Sequence, residues 1–213
     1  MAIKSSIYLR RAEREDLDVV VEWMEDPDFL YFLYGDPARS PKRIREQIVS
    51  MLGRNASQSM PGGVYFIVDS PRYGPIGLIA IQNISWRNRS CSVDTYIGEK
   101  KLRGGFASAV ALFRALEYAF HELNLHRATL YVYAFNKASR RLIERSGAVH
   151  ELTMREHVAR GGTLYDMYGY GLLRREFETF RNEVAERMPE ALLEANQAAE
   201  AAAAAKQGGE SAS

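Results

Sequence analysis

The stretch between residues 91 and 135 constrains the fold more than any other part of the sequence. Residues 91–97 alternate side chains between two faces, which predicts a strand. Gly104 and Gly105 then form a turn, and residues 107–123 carry apolar side chains at helical spacing. Residues 128–135 are rich in the aromatic side chains that strands favour. This order of strand, glycine turn, helix and strand predicts one β-α-β unit.

Segments on both sides of this unit predict a larger sheet. Further strands are expected at residues 7–10, 64–68, 76–84 and 164–172, and helices at residues 12–24, 40–52 and 139–145. The strands at residues 64–68, 76–84 and 91–97 follow one another through short turns, which is typical of an antiparallel meander. The sequence therefore predicts an α/β fold with one mixed, largely antiparallel sheet flanked by helices.

Composition excludes several classes of protein. Lys and Arg number 28 against 27 Asp and Glu, so no broad basic field favours nucleic-acid binding. Cys91 is the single cysteine, which excludes an internal disulfide and a multi-cysteine metal site. No apolar run approaches the ~18 residues of a membrane span, and the first residues lack the apolar region of a secretory signal. We therefore expect a cytoplasmic protein with no metal, no membrane partner and no nucleic-acid partner.

The glycine turn before the long helix predicts a phosphate site. The first amides of a helix lack internal acceptors and lie at the positive end of its dipole. Glycines let a phosphate approach those amides closely, so the turn is suited to a pyrophosphate. The G-x-x-x-x-G-K-[ST] motif of nucleotide-binding P-loops is absent, and so is the G-x-G-x-x-G motif of dinucleotide folds.

Two motifs in this region resemble the acetyl-CoA-binding core of the GNAT superfamily of acyltransferases. Residues 102–107 (LRGGFA) are similar to the family pattern R/Q-x-x-G-x-G/A, with Leu102 in place of the basic first residue. The pattern N-x-x-S/A, followed by a short helix and glycine, is matched by Asn136, Ser139 and Gly147. Ala148 replaces the aromatic residue that usually follows that glycine.

The resemblance extends over roughly residues 7–177 in one consistent order. Residues 7–12 and 22–27 are similar to the opening of the ribosomal-protein N-acetyltransferase branch. Residues 123–127 resemble that branch and the related spermidine acetyltransferases, and residues 164–177 resemble their closing strand. The family implies a GNAT-like fold and an acetyl-CoA-dependent N-acetyltransferase. The implied acceptor is a small-molecule or peptide amine: a protein N-terminus, a polyamine, an amino sugar or an antibiotic.

The resemblance also assigns candidate roles to residues. The expected acetyl-CoA-binding residues are Ile97, Leu102, Arg103, Gly104, Gly105, Phe106, Ala107, Ser108, Asn136 and Ser139. Arg140, Arg145 and Lys101 are further basic residues that could pair with phosphates of CoA. Many members carry a tyrosine that protonates the departing thiolate, but this chain has Ile143 at that position, so Ser139 is the candidate acid.

The amine must lose a proton before it attacks, so the reaction needs a base near neutral pH. Asp94 is the candidate base, because an acid within an apolar-flanked strand is costly unless it is paired or solvated. A structural role, in contact with solvent or a neighbouring strand, is equally compatible with the sequence. Tyr96 and Tyr133 are candidates for the walls of the acceptor pocket, whereas Cys91 has no evident histidine partner and is expected to be buried.

Two rival functions remain open at this point. One is a non-catalytic acyl-CoA-binding module for sensing or assembly, and the other is an acyltransferase that uses a longer donor such as succinyl-CoA. Residues 1–177 are assigned to the GNAT domain and residues 178–213 to an Ala-rich helical extension with a disordered end. An apolar stripe is expected to pack on the domain or across a homodimer; it consists of Phe177, Phe180, Val184 and Met188.

Overall fold

The computed structural model describes residues 7–29, 42, 43, 45, 46, 49 and 60–187. Its strands are β1 (Tyr8–Arg11), β2 (Val64–Ser70), β3 (Gly74–Ser85), β4 (Ser90–Ile97), β5 (Arg127–Tyr133), β6 (Val149–Arg160) and β7 (Thr163–Leu173). Its helices are α1 (Leu17–Glu25), α2 (Phe106–Glu117), α3 (Lys137–Arg145) and α4 (Arg174–Arg187), with shorter turns at Arg14–Asp16, Pro27–Phe29, Lys100–Leu102 and Tyr118–Glu122. The helix predicted at residues 40–52 and the Ala-rich tail lie mostly or wholly outside the described residues.

The seven strands form one sheet in the order β1-β2-β3-β4-β5-β7-β6. Every neighbouring pair is antiparallel except β4 and β5, which confirms the predicted mixed, largely antiparallel sheet. The parallel pair is short, because only Ser90–Ser92 pairs with Arg127–Thr129. Beyond these residues β4 and β5 have no shared ladder, so the sheet opens between them.

Helices cover both faces of the sheet. Apolar residues recur three or four positions apart along α2, and this stripe is buried against the sheet. On β2, Phe66 and Val68 belong to that core, whereas Ile67 points to the other face. There Ile67 packs against Val20 and Val21 of α1. The opening between β4 and β5 is therefore flanked by packed layers that hold its walls in place.

The C-terminal helix α4 packs on the domain through the predicted apolar stripe. Phe177 is fully buried, and its ring lies 5.4 Å from the ring of Phe113 and 5.2 Å from that of Phe120. Phe180 and Val184 are partly buried against the same core. The predicted boundary between residues 177 and 178 thus falls inside a helix, while Met188 lies outside the described residues.

Two features differ from the sequence-based prediction. The long helix predicted at residues 107–123 leaves α-helical geometry after Glu117 and continues as a wider turn at Tyr118–Glu122. Strand β6 was not predicted at all, because most of its side chains are exposed and their polarity does not alternate. No helix in the described part of the chain is long and apolar enough to cross a membrane.

Candidate active site

The loop before α2 has the geometry of an anion site. Gly104 has a φ of +68°, a conformation that glycine adopts without strain, and Gly105 is the N-cap of α2. A Cβ atom added to Gly105 would meet nothing closer than the Leu102 carbonyl oxygen at 3.9 Å. The space beside Gly105 is therefore open to a ligand, and the amides of the first turn of α2 point toward the helix N-terminus.

A cavity of about 590 Å³ lies at this loop. Gly104, Gly105 and Phe106 line it, and so do Arg141 and Arg145 of α3. Helix-terminal amides together with two guanidinium groups suit a ligand that carries phosphates. The cavity at the glycine loop therefore carries groups compatible with the predicted phosphate site.

Not every predicted cofactor residue faces this cavity with its side chain. The side chains of Ile97 and Ala107 are buried in the core, and Leu102 packs against it. The Ser108 hydroxyl accepts a hydrogen bond of 3.1 Å from the backbone N–H of Gly104, which braces the turn. These side chains shape the loop and are not among those that line the cavity.

Arg103 is placed differently from the expected pairing of its side chain with phosphates. Its guanidinium donates to Asp26 at 2.6 Å, to Asp28 at 2.9 Å and to the Tyr96 hydroxyl at 2.7 Å. It also donates to the carbonyl oxygens of Ile97 and Gly98. The Arg103 side chain therefore ties the end of β4 to the segment that follows α1.

This arginine changes the titration of its main partner. Burial by itself would raise the pKa of the Asp26 carboxyl, but hydrogen bonds from Arg103, the Asp28 backbone and Lys100 lower it by more. The net pKa of Asp26 is therefore below its ordinary value. Asp26 remains ionised with its cationic partners and serves the local structure.

A second cavity, of about 360 Å³, lies in the opening between β4 and β5. Asp94 and Tyr96 reach it from β4, and Tyr133 reaches it from β5. Leu112 of α2 and Leu142 of α3 line both this cavity and the one at the glycine loop. The two cavities are therefore neighbours along one cleft that leads from the glycine loop to Asp94.

The surroundings of Asp94 change the pKa of its carboxyl group. The Asp94 side chain is exposed to solvent at the opening, and desolvation of the carboxylate by the surrounding protein raises its pKa above the ordinary value. A hydrogen bond of 2.8 Å from Gln82 Nε2 to Asp94 Oδ2 acts in the opposite direction and is outweighed. Gln82 on β3 had no evident role in the sequence; it lies diagonally across from Asp94, whose direct partner on β3 is Ala80. The contact between Gln82 and Asp94 depends on the register of β3 against β4, which the sequence alone does not reveal.

Asn136 and Ser139 line the same cavity at the start of α3. The Asn136 Oδ1 atom accepts a hydrogen bond of 3.1 Å from the Ser139 backbone N–H, so Asn136 is the N-cap of the helix. Ile143, one turn further along, is buried and also lines the cavity. Ile143 stands at the position of the family tyrosine and lines the cavity, but it has no hydroxyl that could donate a proton.

The remaining predicted residues have clear surroundings. Tyr133 has the Arg160 guanidinium 5.2 Å from its ring centroid, and the Tyr96 ring lies 6.5 Å from that of Trp23. Tyr131 lines the Asp94 cavity as well and is 45% exposed. Cys91 is buried, which raises the pKa of its thiol to about 12, so it is a poor nucleophile.

The chemical groups along the cleft are compatible with acetyl-CoA and follow the order of the groups in that molecule. The loop at Gly105 leaves room for a pyrophosphate, and the Asp94 cavity at the other end can hold a reacting thioester and an amine. Among the described residues, no group of three or more metal-ligating side chains converges.

Comparison with known proteins identifies the family. The family described as acetyltransferase (GNAT) domain matches residues 6–149. The uncharacterized N-acetyltransferase p20 of Bacillus licheniformis is 26% identical over 171 residues, which cover 80% of this chain and 94% of the relative. The spermidine N(1)-acetyltransferase of Vibrio cholerae is 26% identical over 175 residues, which cover 82% of this chain and 97% of the relative.

A solved structure confirms the fold. The crystal structure of spermidine N-acetyltransferase from Vibrio cholerae, in complex with CoA and spermine, has a TM-score of 0.72 and 24% identity, and the match covers 81% of this chain and 98% of that one. Its fold is the open, mostly antiparallel sheet described above, which confirms the GNAT-like architecture. The chain therefore belongs to the GNAT family and is an acetyltransferase that uses acetyl-CoA to acetylate an amine.

Proposed function

We propose that Asp94 is the general base of this enzyme and that the acceptor amine occupies the cavity between β4 and β5. The observation that carries the proposal is the position of the Asp94 carboxylate. It lines the cavity that adjoins the phosphate site through Leu112 and Leu142. An amine beside Asp94 would therefore meet a thioester whose phosphates lie at the glycine loop.

The chemistry needs a base of the kind that Asp94 provides. An α-amino group has a pKa near ~8 and an aliphatic amine near ~10.4, so most of the acceptor is cationic at neutral pH. A carboxylate in a partly enclosed cavity attracts that cation, and its raised pKa makes it a stronger base. Asp94 accepts the proton of the amine, directly or through water.

The bonding changes balance without a covalent enzyme intermediate. The amine nitrogen forms a bond to the acetyl carbon, and the carbon–sulfur bond of the thioester breaks. The thiolate of CoA then takes up a proton, and the products are the N-acetylated amine and CoA. The nitrogen loses a second proton as the amide forms. The Ser139 hydroxyl, which lines the cavity, is proposed to relay this proton to the thiolate, taking up one proton as it gives another, because Ile143 has no proton to give.

We further propose an aliphatic polyamine as the acceptor. Tyr96, Tyr131 and Tyr133 surround the cavity near Asp94, and aromatic rings attract ammonium groups at their faces. The nearly full-length similarity to a spermidine N(1)-acetyltransferase supports the same substrate class. A panel of spermidine, an amino sugar and a peptide with a free N-terminus, assayed by thiol release, tests this choice. A higher kcat/KM for the peptide than for spermidine would overturn it.

The Asp94→Asn variant tests the proposed base. Asparagine keeps an oxygen that can accept the Gln82 hydrogen bond, so the local structure should persist. We expect kcat/KM to fall by about 10²–10⁴-fold with acetyl-CoA affinity nearly unchanged. The loss should shrink at high pH, where more of the amine is already neutral. A small loss that does not depend on pH would assign Asp94 a structural role instead.

A further inference from the structure

Helix α4 supplies a wall of the cavity at the glycine loop. It lies after the 6–149 segment that matches the family, and Phe180 on α4 lines the cavity. The Phe180 ring lies 6.0 Å from that of Phe113, which lines the cavity too, and the two rings meet edge to face. Part of the cofactor cavity is thus aromatic and comes from outside the family's matched segment.

The same cavity carries positive charge. Arg141 and Arg145 lie on α3 and line the same cavity as Phe180. Within the part of the chain that the structure describes, neither guanidinium has an ion-pair partner. A cavity lined by two guanidinium groups and by aromatic rings suits a ligand that has both a flat heteroaromatic base and phosphates.

The order of groups in acetyl-CoA places such a ligand here. The acetyl thioester must lie at Asp94 if it is to react there, and the pyrophosphate is suited to the amides at Gly105. The pantetheine arm joins these two groups, so the phosphorylated adenosine lies on the far side of the pyrophosphate. The part of the cavity that Phe180 and the two arginines line is the space that this portion of the ligand could occupy.

We propose that α4 is part of the acetyl-CoA site and that Phe180 contacts the adenine ring, with Arg141 and Arg145 near the 3′-phosphate. This inference rests on the use of acetyl-CoA by the enzyme. It does not depend on Asp94 as the base or on a polyamine as the acceptor. It gives the C-terminal helix a role in selecting donors that carry the nucleotide.

Donor fragments separate a nucleotide contact from a general weakening of the protein. Adenosine 3′,5′-bisphosphate contains the nucleotide without the pantetheine arm, whereas S-acetylpantetheine contains the arm without the nucleotide. We expect Phe180→Ala to weaken binding of the bisphosphate and of acetyl-CoA by about tenfold, the size of one lost base–aromatic contact. The kcat/KM with S-acetylpantetheine should stay unchanged, and Phe180→Trp should keep the affinity for the bisphosphate.

Val184→Ala is the matched control, because Val184 is on the same helix and packs on the core but does not line the cavity. It should lower the melting temperature without changing affinity for the bisphosphate. Unchanged bisphosphate affinity in Phe180→Ala would overturn the proposal, and so would equal losses with S-acetylpantetheine and acetyl-CoA. Failure of the wild-type enzyme to bind acetyl-CoA would instead overturn the assignment of the donor itself.

Discussion

Replacing Arg103 with methionine removes the guanidinium that ties the end of β4 to the segment after α1. Methionine keeps much of the length of the side chain but donates no hydrogen bond. Asp26, Asp28 and the Tyr96 hydroxyl then lose a donor that lies 2.6–2.9 Å away. We expect the variant to fold with lower stability and with a less rigid wall at the Tyr96 side of the acceptor cavity.

The expected loss of folding stability follows from the solvent exposure of the Arg103–Asp26 ion pair. Breaking a buried ion pair costs about 3–5 kcal/mol, whereas an exposed pair contributes about 0–1 kcal/mol. Here the Arg103 side chain is 23% exposed and that of Asp26 is 12% exposed, so the pair lies between these cases. Asp26 also keeps Lys100 at 3.3 Å. We therefore expect a loss of about 2 kcal/mol, or ~4–8 °C in melting temperature.

The pH dependence identifies the ion pair as the cause. The pKa of Asp26 is lower in the folded state than its ordinary value of 3.8. The stability that this carboxylate contributes is therefore complete above that value and is lost as the pH falls through the folded-state pKa. Urea unfolding from pH 7 downward should show the wild type and Arg103→Met converging at acidic pH.

Two further variants control this experiment. Arg103→Lys keeps the charge but loses the planar fork, so it should recover part of the stability. Lys101→Met removes an exposed neighbouring cation and should leave the stability unchanged. In the activity assay, Arg103→Met should raise KM for the amine more than the Kd for acetyl-CoA. An unchanged stability, or a difference that stays constant with pH, would refute the assigned role of Arg103.

Four shorter predictions concern the loop, the base and the C-terminal helix. Gly105→Glu should fold, because the space at its Cβ is open. It should weaken acetyl-CoA binding in calorimetry, because the glutamate is bulky and has the same charge as the phosphates. An affinity equal to that of the wild type would remove the assignment of the phosphate site. Gly104→Ala should instead cost about 1–2 kcal/mol in stability by urea unfolding, because φ is +68° there. Gln82→Met removes the hydrogen bond that lowers the pKa of Asp94, so the acidic limb of kcat/KM should move to higher pH, and an unmoved limb would argue against Asp94 as the base. Phe177→Ala should cost ~3–5 kcal/mol by urea unfolding, because its ring is fully buried, and a loss below about 1 kcal/mol would mean that α4 is not a packing element.

Local patterns predicted the central part of the fold. The alternation of residues 91–97 placed Asp94 and Tyr96 on one face of a strand, and both line the same cavity. The glycine pair placed a turn before α2, and the motif at Asn136 placed an N-cap before α3. These features are visible in sequence because strand alternation, turns and caps depend on residues only a few positions apart.

Strand β6 shows where such patterns fail. It lies at the edge of the sheet, and within it Val158 is buried while most other side chains are exposed. Without a consistently buried face there is no period-two signal to detect. Its place beside β7 is decided by backbone pairing, which leaves little trace in side-chain polarity.

By itself, the sequence determined the β-α-β unit, the glycine loop at a helix N-terminus and the face on which Asp94 lies. Only the tertiary structure decided that β4 and β5 separate after three paired residues, and that the Arg103 side chain reaches Asp26 rather than the loop. It also decided that Phe180 lines the cofactor cavity. The physical reason is sequence distance: Arg103 and Asp26 are 77 positions apart, and such contacts depend on how completed helices and strands pack together.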